Sequence, residues 1–188
     1  MTSRKLRSTP AGPVAPAPVI DLDRYVPAYL TWINNKLSRG ASQHYLANFS
    51  VGIETWRCLT LLAVTGEVSA QHVSNVIGMD KGSVSRCFKS MQNDGLIRTK
   101  LDDSDGRLRI AVLTAKGRLL HDQIIGLALE RERAFLSVLD TEEVEILLEL
   151  LRRLHANLPE VEVSTQKYVR ERLLKTGGAK GSKGTKTP

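Results

Sequence analysis

Apolar residues recur at helical spacing through most of the chain. Over residues 21–49 they fall at three- and four-residue intervals, a stripe typical of an amphipathic helix, at Val26, Leu30, Ile33 and Leu37. Further stripes each follow a side chain suited to cap a helix: Ser50, Ser69, Asp80, Thr114 and Asp140. Leu158-Pro159 is expected to end the helix after Asp140. The pattern predicts a mainly α protein.

Two of these predicted helices are short and nearly adjacent. The first runs from Ser69 to Gly78, with its apolar positions at Val73, Val76 and Ile77. The second lies between Asp80 and Gly95, and its inner face carries Val84, Phe88 and Met91 at i, i+4 and i+7. A turn of only Gly-Met-Asp separates them, and this spacing predicts a helix-turn-helix.

The pattern becomes strand-like after Gly95. Residues 96–101 precede a turn at 102–106, and over 107–113 apolar Leu108, Ile110 and Val112 alternate with Arg107, Arg109 and Ala111. This predicts a two-stranded hairpin with a basic outer face. The predicted fold is therefore mainly α with a small β wing, a winged helix-turn-helix with flanking helices.

The outer faces of the second helix and the ribbon carry short polar and cationic side chains. Such a surface permits close approach to double-stranded DNA, and we expect contacts from Lys81, Ser83, Ser85, Arg86, Lys89, Lys100, Arg107 and Arg109. The alternative is a purely structural pair of capped helices. The ribbon beside the pair favours DNA binding.

The distribution of charge supports this interpretation. The net charge is +7, yet seven cations without an acid lie in the terminal segments 1–7 and 175–188, so residues 8–174 are neutral. Within that neutral body, the stretch from Lys81 to Arg118 holds nine basic residues against four acids. A local positive excess therefore coincides with the predicted helix and wing.

The flanking helices are more apolar than a small winged domain requires, so we expect a second copy of the chain to cover them. The predicted organisation has five parts: a disordered basic, proline-rich arm (1–20), an N-terminal dimerisation helix (21–49), the winged helix-turn-helix (50–114), C-terminal dimerisation helices (115–174) and a disordered Lys/Gly-rich tail (175–188). A two-fold dimer would place two recognition helices about 34 Å apart on DNA.

Catalytic and metal chemistry have little support in the sequence. Cys58 and Cys87 lie on predicted apolar faces, which favours buried reduced thiols. The four histidines share no metal-ligand spacing, and no nucleophile elbow or phosphate-binding loop is present in the sequence. We predict no enzyme activity, cofactor or metal. With neither a membrane span nor an export signal expected, the predicted location is cytoplasmic.

One part of the sequence resembles a known family. Asp105-Gly-Arg107, followed after five residues by Leu113-Thr114-Ala-Lys-Gly117, is similar to the wing signature of the MarR family of bacterial regulators. The resemblance implies an obligate homodimer that binds a palindrome and usually represses. It also implies that Arg107 reaches the minor groove and that Asp105 braces the wing. The sequence departs from the family pattern in two places. Gly106 follows the aspartate where a second arginine often stands, and the basic terminal segments are not a general feature of the family.

The resemblance further implies an effector, because many relatives are released from DNA by small aromatic acids. We expect a small aromatic acid or its thioester to bind between the dimerisation helices and the winged domain, at Tyr29, Trp32, Arg39, His44, Trp56, Arg57 and His121. The alternative assigns these aromatic residues to the core and the arginines to structural salt bridges. Two functions follow: a ligand-responsive dimeric repressor, or a constitutive or architectural nucleic-acid binder without an effector.

Overall fold

A computed structural model describes residues 18–101 and 109–174 of the chain. In chain order the elements are α1 (Val26–Phe49), α2 (Ile53–Thr65), β1 (Glu67–Ser69), α3 (Ala70–Ile77), α4 (Lys81–Asn93), β2 (Ile97–Leu101), β3 (Arg109–Leu113), α5 (Ala115–Leu136), α6 (Thr141–Ala156), α7 (Leu158–Tyr168) and a π-helical turn (Val169–Leu173). They form two compact units, divided within α5 between Gly126 and Leu127. The sequence placed a boundary earlier, at 114/115.

Four of the five predicted helix caps are confirmed, at Ser69, Asp80, Asp140 and, as described below, Thr114. The Ser69 hydroxyl accepts from the His72 amide at 3.1 Å and starts α3. Asp140 and Glu143 form a reciprocal capping box at α6, each side chain accepting from the other's backbone amide at 2.9 Å. Asp80 caps α4 in the same way as Ser69 caps α3. These local hydrogen bonds satisfy amides that have no partner within the helix.

The predicted role of Ser50 is wrong. Ser50 ends α1 instead of starting α2, because its backbone adopts a left-handed conformation (φ 59°) and its amide donates to the Leu46 carbonyl. The next helix begins at Ile53 after Gly52, without a capping side chain. A serine at a left-handed position is uncommon, so sequence preference favoured the N-cap.

The sheet of the first unit has three strands, in the order β1-β3-β2, where the sequence predicted two. All pairings are antiparallel, with Val68 opposite Ala111 and Thr99 opposite Ala111 on the other side. Because β3 is the central strand, Ile110, Ala111 and Val112 are all buried, and the predicted alternation fails at Ala111. The short β1 carries only three residues, too few for a visible pattern.

The core of the first unit joins the sheet to four helices. Fully buried side chains come from α2 (Leu59, Leu62), α3 (Val73), α4 (Val84, Met91) and α5 (Ile124). Each such side chain contributes about 1.5–3 kcal/mol by leaving water. The predicted inner face of α3 is only partly correct, because Val76 is 47% exposed.

Thr114 links the end of α4 to the start of α5. Its hydroxyl donates to the Gly95 carbonyl at 2.7 Å and accepts from the Gly117 amide at 3.0 Å, which confirms the predicted cap of α5. The Lys116 ammonium donates to the Asp94 carbonyl at 2.7 Å. The Leu-Thr-Ala-Lys-Gly motif therefore has a structural role, fixing α5 against the turn that follows α4.

Apolar side chains line the outer surfaces of several helices. On α1 the predicted inner residues Val26, Leu30 and Ile33 are 53, 44 and 40% exposed in the single chain. In the second unit, no described residue of α6 or α7 is buried.

The helix after Asp140 ends at Ala156, but Pro159 lies in the first turn of α7, so a new helix begins where the sequence predicted a stop. Among the described helices, none is long and apolar enough to cross a membrane.

Candidate nucleic-acid interface

α4 separates its apolar and polar residues cleanly. Val84, Phe88 and Met91 are buried as predicted, because they recur on the face that packs against the first unit's core. The opposite face carries exposed Lys81, Ser85, Arg86 and Lys89. This helix therefore presents three cations and a hydroxyl to solvent.

The first turn of α4 is held by a small polar network. The Asp80 carboxylate accepts from the Ser83 amide at 2.9 Å, and Arg86 Nη2 donates to Ser83 Oγ at 2.8 Å. Hydrogen bonds from the Ser83 side chain and amide lower the pKa of Asp80, so the carboxylate stays ionised. A Cβ at Gly82 would lie 3.1 Å from Asp80 Oδ1 and 3.3 Å from Arg86 Nη1. Gly82 therefore leaves room for the guanidinium over this turn.

A surface depression joins α4 to the sheet. Its volume is about 230 Å³, and it is lined by Ala70, Ser85, Phe88, Lys89, Gln92, Thr99, Arg109 and Ala111. Three predicted DNA-contacting residues meet here, Ser85 and Lys89 from α4 and Arg109 from β3. Gln92 and Thr99 were not predicted. Gln92 lies three residues after Lys89, a helical spacing that places it on a neighbouring position of the same surface.

Lys100 differs from the other predicted contacts. Its ammonium lies 2.9 Å from Glu67 Oε1, an ion pair that reaches across the sheet from β2 to β1. Both side chains are about half exposed, so water screens this pair. Arg107, the predicted minor-groove residue, and Asp105, the predicted wing brace, lie outside the described residues.

The structure stacks two of the seven predicted effector residues. The Trp56 and His121 ring centroids are 5.5 Å apart and the rings nearly parallel, and the Tyr45 ring lies 5.6 Å from Trp56 in a tilted orientation. His121 is buried, and its Nδ1 contacts Asp122 Oδ1 at 2.8 Å. Tyr45 was not predicted, although it follows Leu37 and Ala41 at four-residue intervals on the inner face of α1.

The other predicted effector residues lie apart from this stack. Tyr29 and Trp32 form a separate edge-to-face pair on α1, with ring centroids 5.5 Å apart. Arg57 donates to Ser38 Oγ at 2.9 Å and so links α2 to α1, while Arg39 and His44 are exposed. The structure therefore does not gather the seven residues around one cavity of the single chain.

A second cavity of the first unit lies elsewhere. Its volume is about 420 Å³, and its walls come from the end of α1, the turn after α4 and the first turns of α5, at Phe49, Ser50, Val51, Asp94, Leu96, Lys116, Leu119, Leu120 and Gln123. None of the seven predicted effector residues lines it. No group of three potential metal ligands is found among the described residues.

Two helices in helix-turn-helix order, followed by the antiparallel strands β2 and β3, of which the edge strand β2 borders the second helix, define a winged helix-turn-helix protein. The MarR family matches residues 50–108, which contain both helices and the strands β1 and β2, and the match ends directly before β3. Over this segment the chain is similar to the MarR family of transcriptional regulators.

Individual proteins are similar to this chain beyond the matched segment. The chain is 27% identical over 107 residues to the HTH-type transcriptional regulator YdgJ of Bacillus subtilis, an alignment that spans 55% of this chain and 63% of YdgJ. A MarR/EmrR family regulator from Acinetobacter sp. ADP1 is 29% identical, with a TM-score of 0.70 over 75% of this chain and 99% of that chain.

A third similarity concerns the fold alone. A mutant form of MarR from E. coli, whose structure was determined with operator DNA, is 19% identical, with a TM-score of 0.61 over 72% of this chain and 99% of that chain. The winged helix-turn-helix arrangement is therefore retained where most of the sequence differs.

Proposed function

We propose that this protein is a dimeric, sequence-specific DNA-binding regulator of transcription. The observation that carries the proposal is the polar face of α4, which is capped at Asp80, cationic, and continuous with Arg109 of the sheet through Ser85 and Lys89. The major groove of DNA is wide enough to admit an α-helix, and cationic side chains beside such a helix neutralise phosphates. The E. coli MarR mutant, which shares the fold, was crystallised with operator DNA, and this supports the same role for α4.

The dimer is proposed from the exposed apolar residues of the terminal helices. Tyr25, Val26, Tyr29 and Leu30 of the α1 region, and Leu150, Leu151 and Leu154 of α6, are each more than a third exposed. Monomeric proteins seldom leave contiguous apolar surfaces of this kind in water. A two-fold dimer would cover them and repeat α4 at the spacing of a palindromic site, about 34 Å.

Arg86 provides the test of sequence-specific binding. Because its guanidinium lies over the first turn of α4, we expect Arg86→Ala to lose about 1–3 kcal/mol of operator affinity and to relax discrimination at one base pair. The operator would be selected from random duplexes, and affinities measured by fluorescence anisotropy at fixed salt.

Arg133→Ala is the matched control, since it removes the same charge from an exposed arginine of the second unit that pairs with Glu130. It should bind the operator like the wild type. If Arg86→Ala loses the same affinity for every DNA sequence, Arg86 contacts phosphates and not bases. If the selection from random duplexes yields no preferred operator, the proposal is refuted.

We further propose repression that a small aromatic acid or its thioester relieves. The stacked Trp56 and His121 rings and the neighbouring Tyr45 support an aromatic site in the first unit, since they offer flat apolar faces beside a ring nitrogen. Such a ligand releases DNA only if it binds the DNA-free conformation better than the DNA-bound one.

Calorimetry with benzoate, salicylate and their coenzyme A thioesters tests the effector, alongside anisotropy of the protein–DNA complex. We expect Trp56→Ala to lose both binding and release, while Trp32→Ala, at the separate aromatic pair, retains them. A response lost only in Trp32→Ala would move the site to α1. Binding without release of DNA would leave a constitutive DNA-binding protein.

A further inference from the structure

Two cysteines from different helices face each other in the first unit. Cys58 of α2 is fully buried and Cys87 of α4 is half-buried, and their Sγ atoms are 3.7 Å apart. The sequence predicted that both thiols are buried, and this is confirmed for Cys58 and only partly correct for Cys87, which lies nearer the surface of α4. Their pairing was not visible in the sequence, because 29 positions separate them. The Met91 sulfur lies 3.8 Å from Cys87 Sγ.

The two thiols have different environments. The hydrogen bond with Cys87, followed by burial, raises the pKa of Cys58. The same contact between the two sulfur atoms and a hydrogen bond with Thr55 lower the pKa of Cys87, against the opposing effects of burial and Glu54. Cys87 is also the more accessible of the two. It therefore has the features of the attacking thiolate, and Cys58 those of the resolving thiol.

We propose that Cys58 and Cys87 form a reversible intrachain disulfide when the protein meets a hydroperoxide, and that closing this bond displaces α4 and weakens DNA binding. The first half rests on the thiol geometry alone. The second half rests on the proposed function, because it requires α4 to contact DNA.

The reaction balances with one peroxide. The Cys87 thiolate attacks the terminal peroxide oxygen, the O–O bond breaks, and the product is a Cys87 sulfenic acid with water or an alcohol as the leaving molecule. Cys58 sulfur then attacks Cys87 Sγ, the S–O bond breaks, and the departing hydroxide takes the Cys58 proton as water. Two thiols lose two electrons and two protons, and the peroxide gains them. A dithiol reverses the change by exchange.

The geometry couples this bond to the recognition helix. A disulfide has an S–S length of about 2.05 Å, so the two sulfur atoms must approach by roughly 1.6 Å from their 3.7 Å separation. Val84 and Met91 on the same face of α4 are fully buried, and a packed core resists local adjustment. We expect α4 to shift or rotate toward α2. Arg86, the neighbour of Cys87, would then leave its position over the first turn.

Mass spectrometry tests the disulfide directly. The full-length protein is treated with hydrogen peroxide, residual thiols are alkylated, and the non-reduced tryptic digest is searched for residues 58–81 linked to residues 87–89. We expect this linked pair with the loss of two hydrogen atoms, and its disappearance after dithiothreitol. Absence of the linked pair, or a link only between two chains, would overturn the proposal.

Two single-cysteine variants test the assigned roles. With dimedone as the trap, peroxide-treated Cys58→Ala should be labelled at Cys87, whereas Cys87→Ala, which retains only the buried thiol, should not be labelled at Cys58. The reverse pattern would overturn the assignment of Cys87 as the attacking thiol. The wild-type digest remains decisive if either variant folds poorly.

Anisotropy with the selected operator tests the consequence for DNA. We expect peroxide to lower the affinity of the wild type about tenfold or more, the loss expected for one bidentate base contact, and dithiothreitol to restore it. Cys87→Ala should not respond. A linked pair with unchanged affinity would overturn the switch. If the reduced protein binds no DNA, the proposed function fails, while the digest still decides whether the thiols pair.

Discussion

At Gly117 the backbone of α5 lies against the carbonyl group of Leu96. A Cβ built there would overlap the Leu96 carbonyl oxygen, and it would lie 2.9 Å from the carbonyl carbon and 3.2 Å from Leu113 Cδ2. The same carbonyl accepts from the Thr114 amide at 3.0 Å, so it cannot move without losing that bond. Close packing of two backbones, rather than an unusual φ angle, explains the glycine at this position.

Gly117→Ala should lower the free energy of unfolding by about 1–3 kcal/mol, because the added methyl group forces α5 away from Leu96. Gly126→Ala is the control on the same helix, where a Cβ meets no atom within 4 Å, and it should raise stability by roughly 0.5–1 kcal/mol. Urea unfolding followed by circular dichroism, at one protein concentration, measures both. Equal effects of the two substitutions would contradict the packing argument.

The first turn of α4 combines a stability function with a functional surface. Asp80 accepts from the Ser83 amide, and Ser83 in turn accepts from Arg86, so the cap also orients the side chain proposed to contact bases. The carboxylate near a helix N-terminus is further favoured by the helix dipole. The folded state therefore prefers Asp80 ionised, and its pKa lies below the value in the unfolded chain.

This difference predicts a pH dependence. The cap's contribution is present above the unfolded pKa of about 4 and is lost as pH falls through the lower folded pKa, because the unfolded chain binds the proton first. Asp80→Asn should melt at a lower temperature than the wild type at pH 7, and the difference should shrink as pH falls below about 4. Thermal melts between pH 7 and pH 2 measure it. A difference that stays constant to pH 2 would exclude the charged cap.

Over the whole molecule, the exposed apolar surfaces are concentrated on the helices that flank the winged domain. α6 has no buried residue in the single chain, although Leu148 and Leu151 recur at helical spacing on it. An amphipathic helix of a folded protein owes most of its stability to the packing of its apolar face against another element. The capping box at Asp140 and Glu143 starts this helix locally, and the proposed dimer would cover its leucines.

A double substitution on α6 tests the proposed dimer. Leu148→Arg with Leu151→Arg should give a monomer, because charges at the covered face cannot be buried without a partner of opposite sign. Glu149→Arg, between them on the same helix, is the control and should remain dimeric. Light scattering after size exclusion gives the mass of each variant. A wild-type monomer at micromolar concentration would contradict the dimer.

The sequence by itself determined the features that depend on neighbouring residues, namely the helix caps and the polar face of α4. Ser69, Asp80, Thr114 and the Asp140 capping box were predictable because a cap depends on residues within three positions of one another. The polar face of α4 was predictable for the same reason, since helical spacing alone assigns Lys81, Arg86 and Lys89 to one side.

Contacts between distant segments were decided only by the tertiary structure. β1 has three residues and forms a strand because β3 supplies its hydrogen bonds, and Ala111 is buried because it lies between two neighbouring strands. Ser50 adopts its left-handed conformation where α1 ends, against its sequence preference. The pairing of Cys58 with Cys87, and of Trp56 with His121, follows from helix packing. Periodicity fixes the side of a helix on which a residue lies, whereas the close packing of the folded core determines which residue it meets.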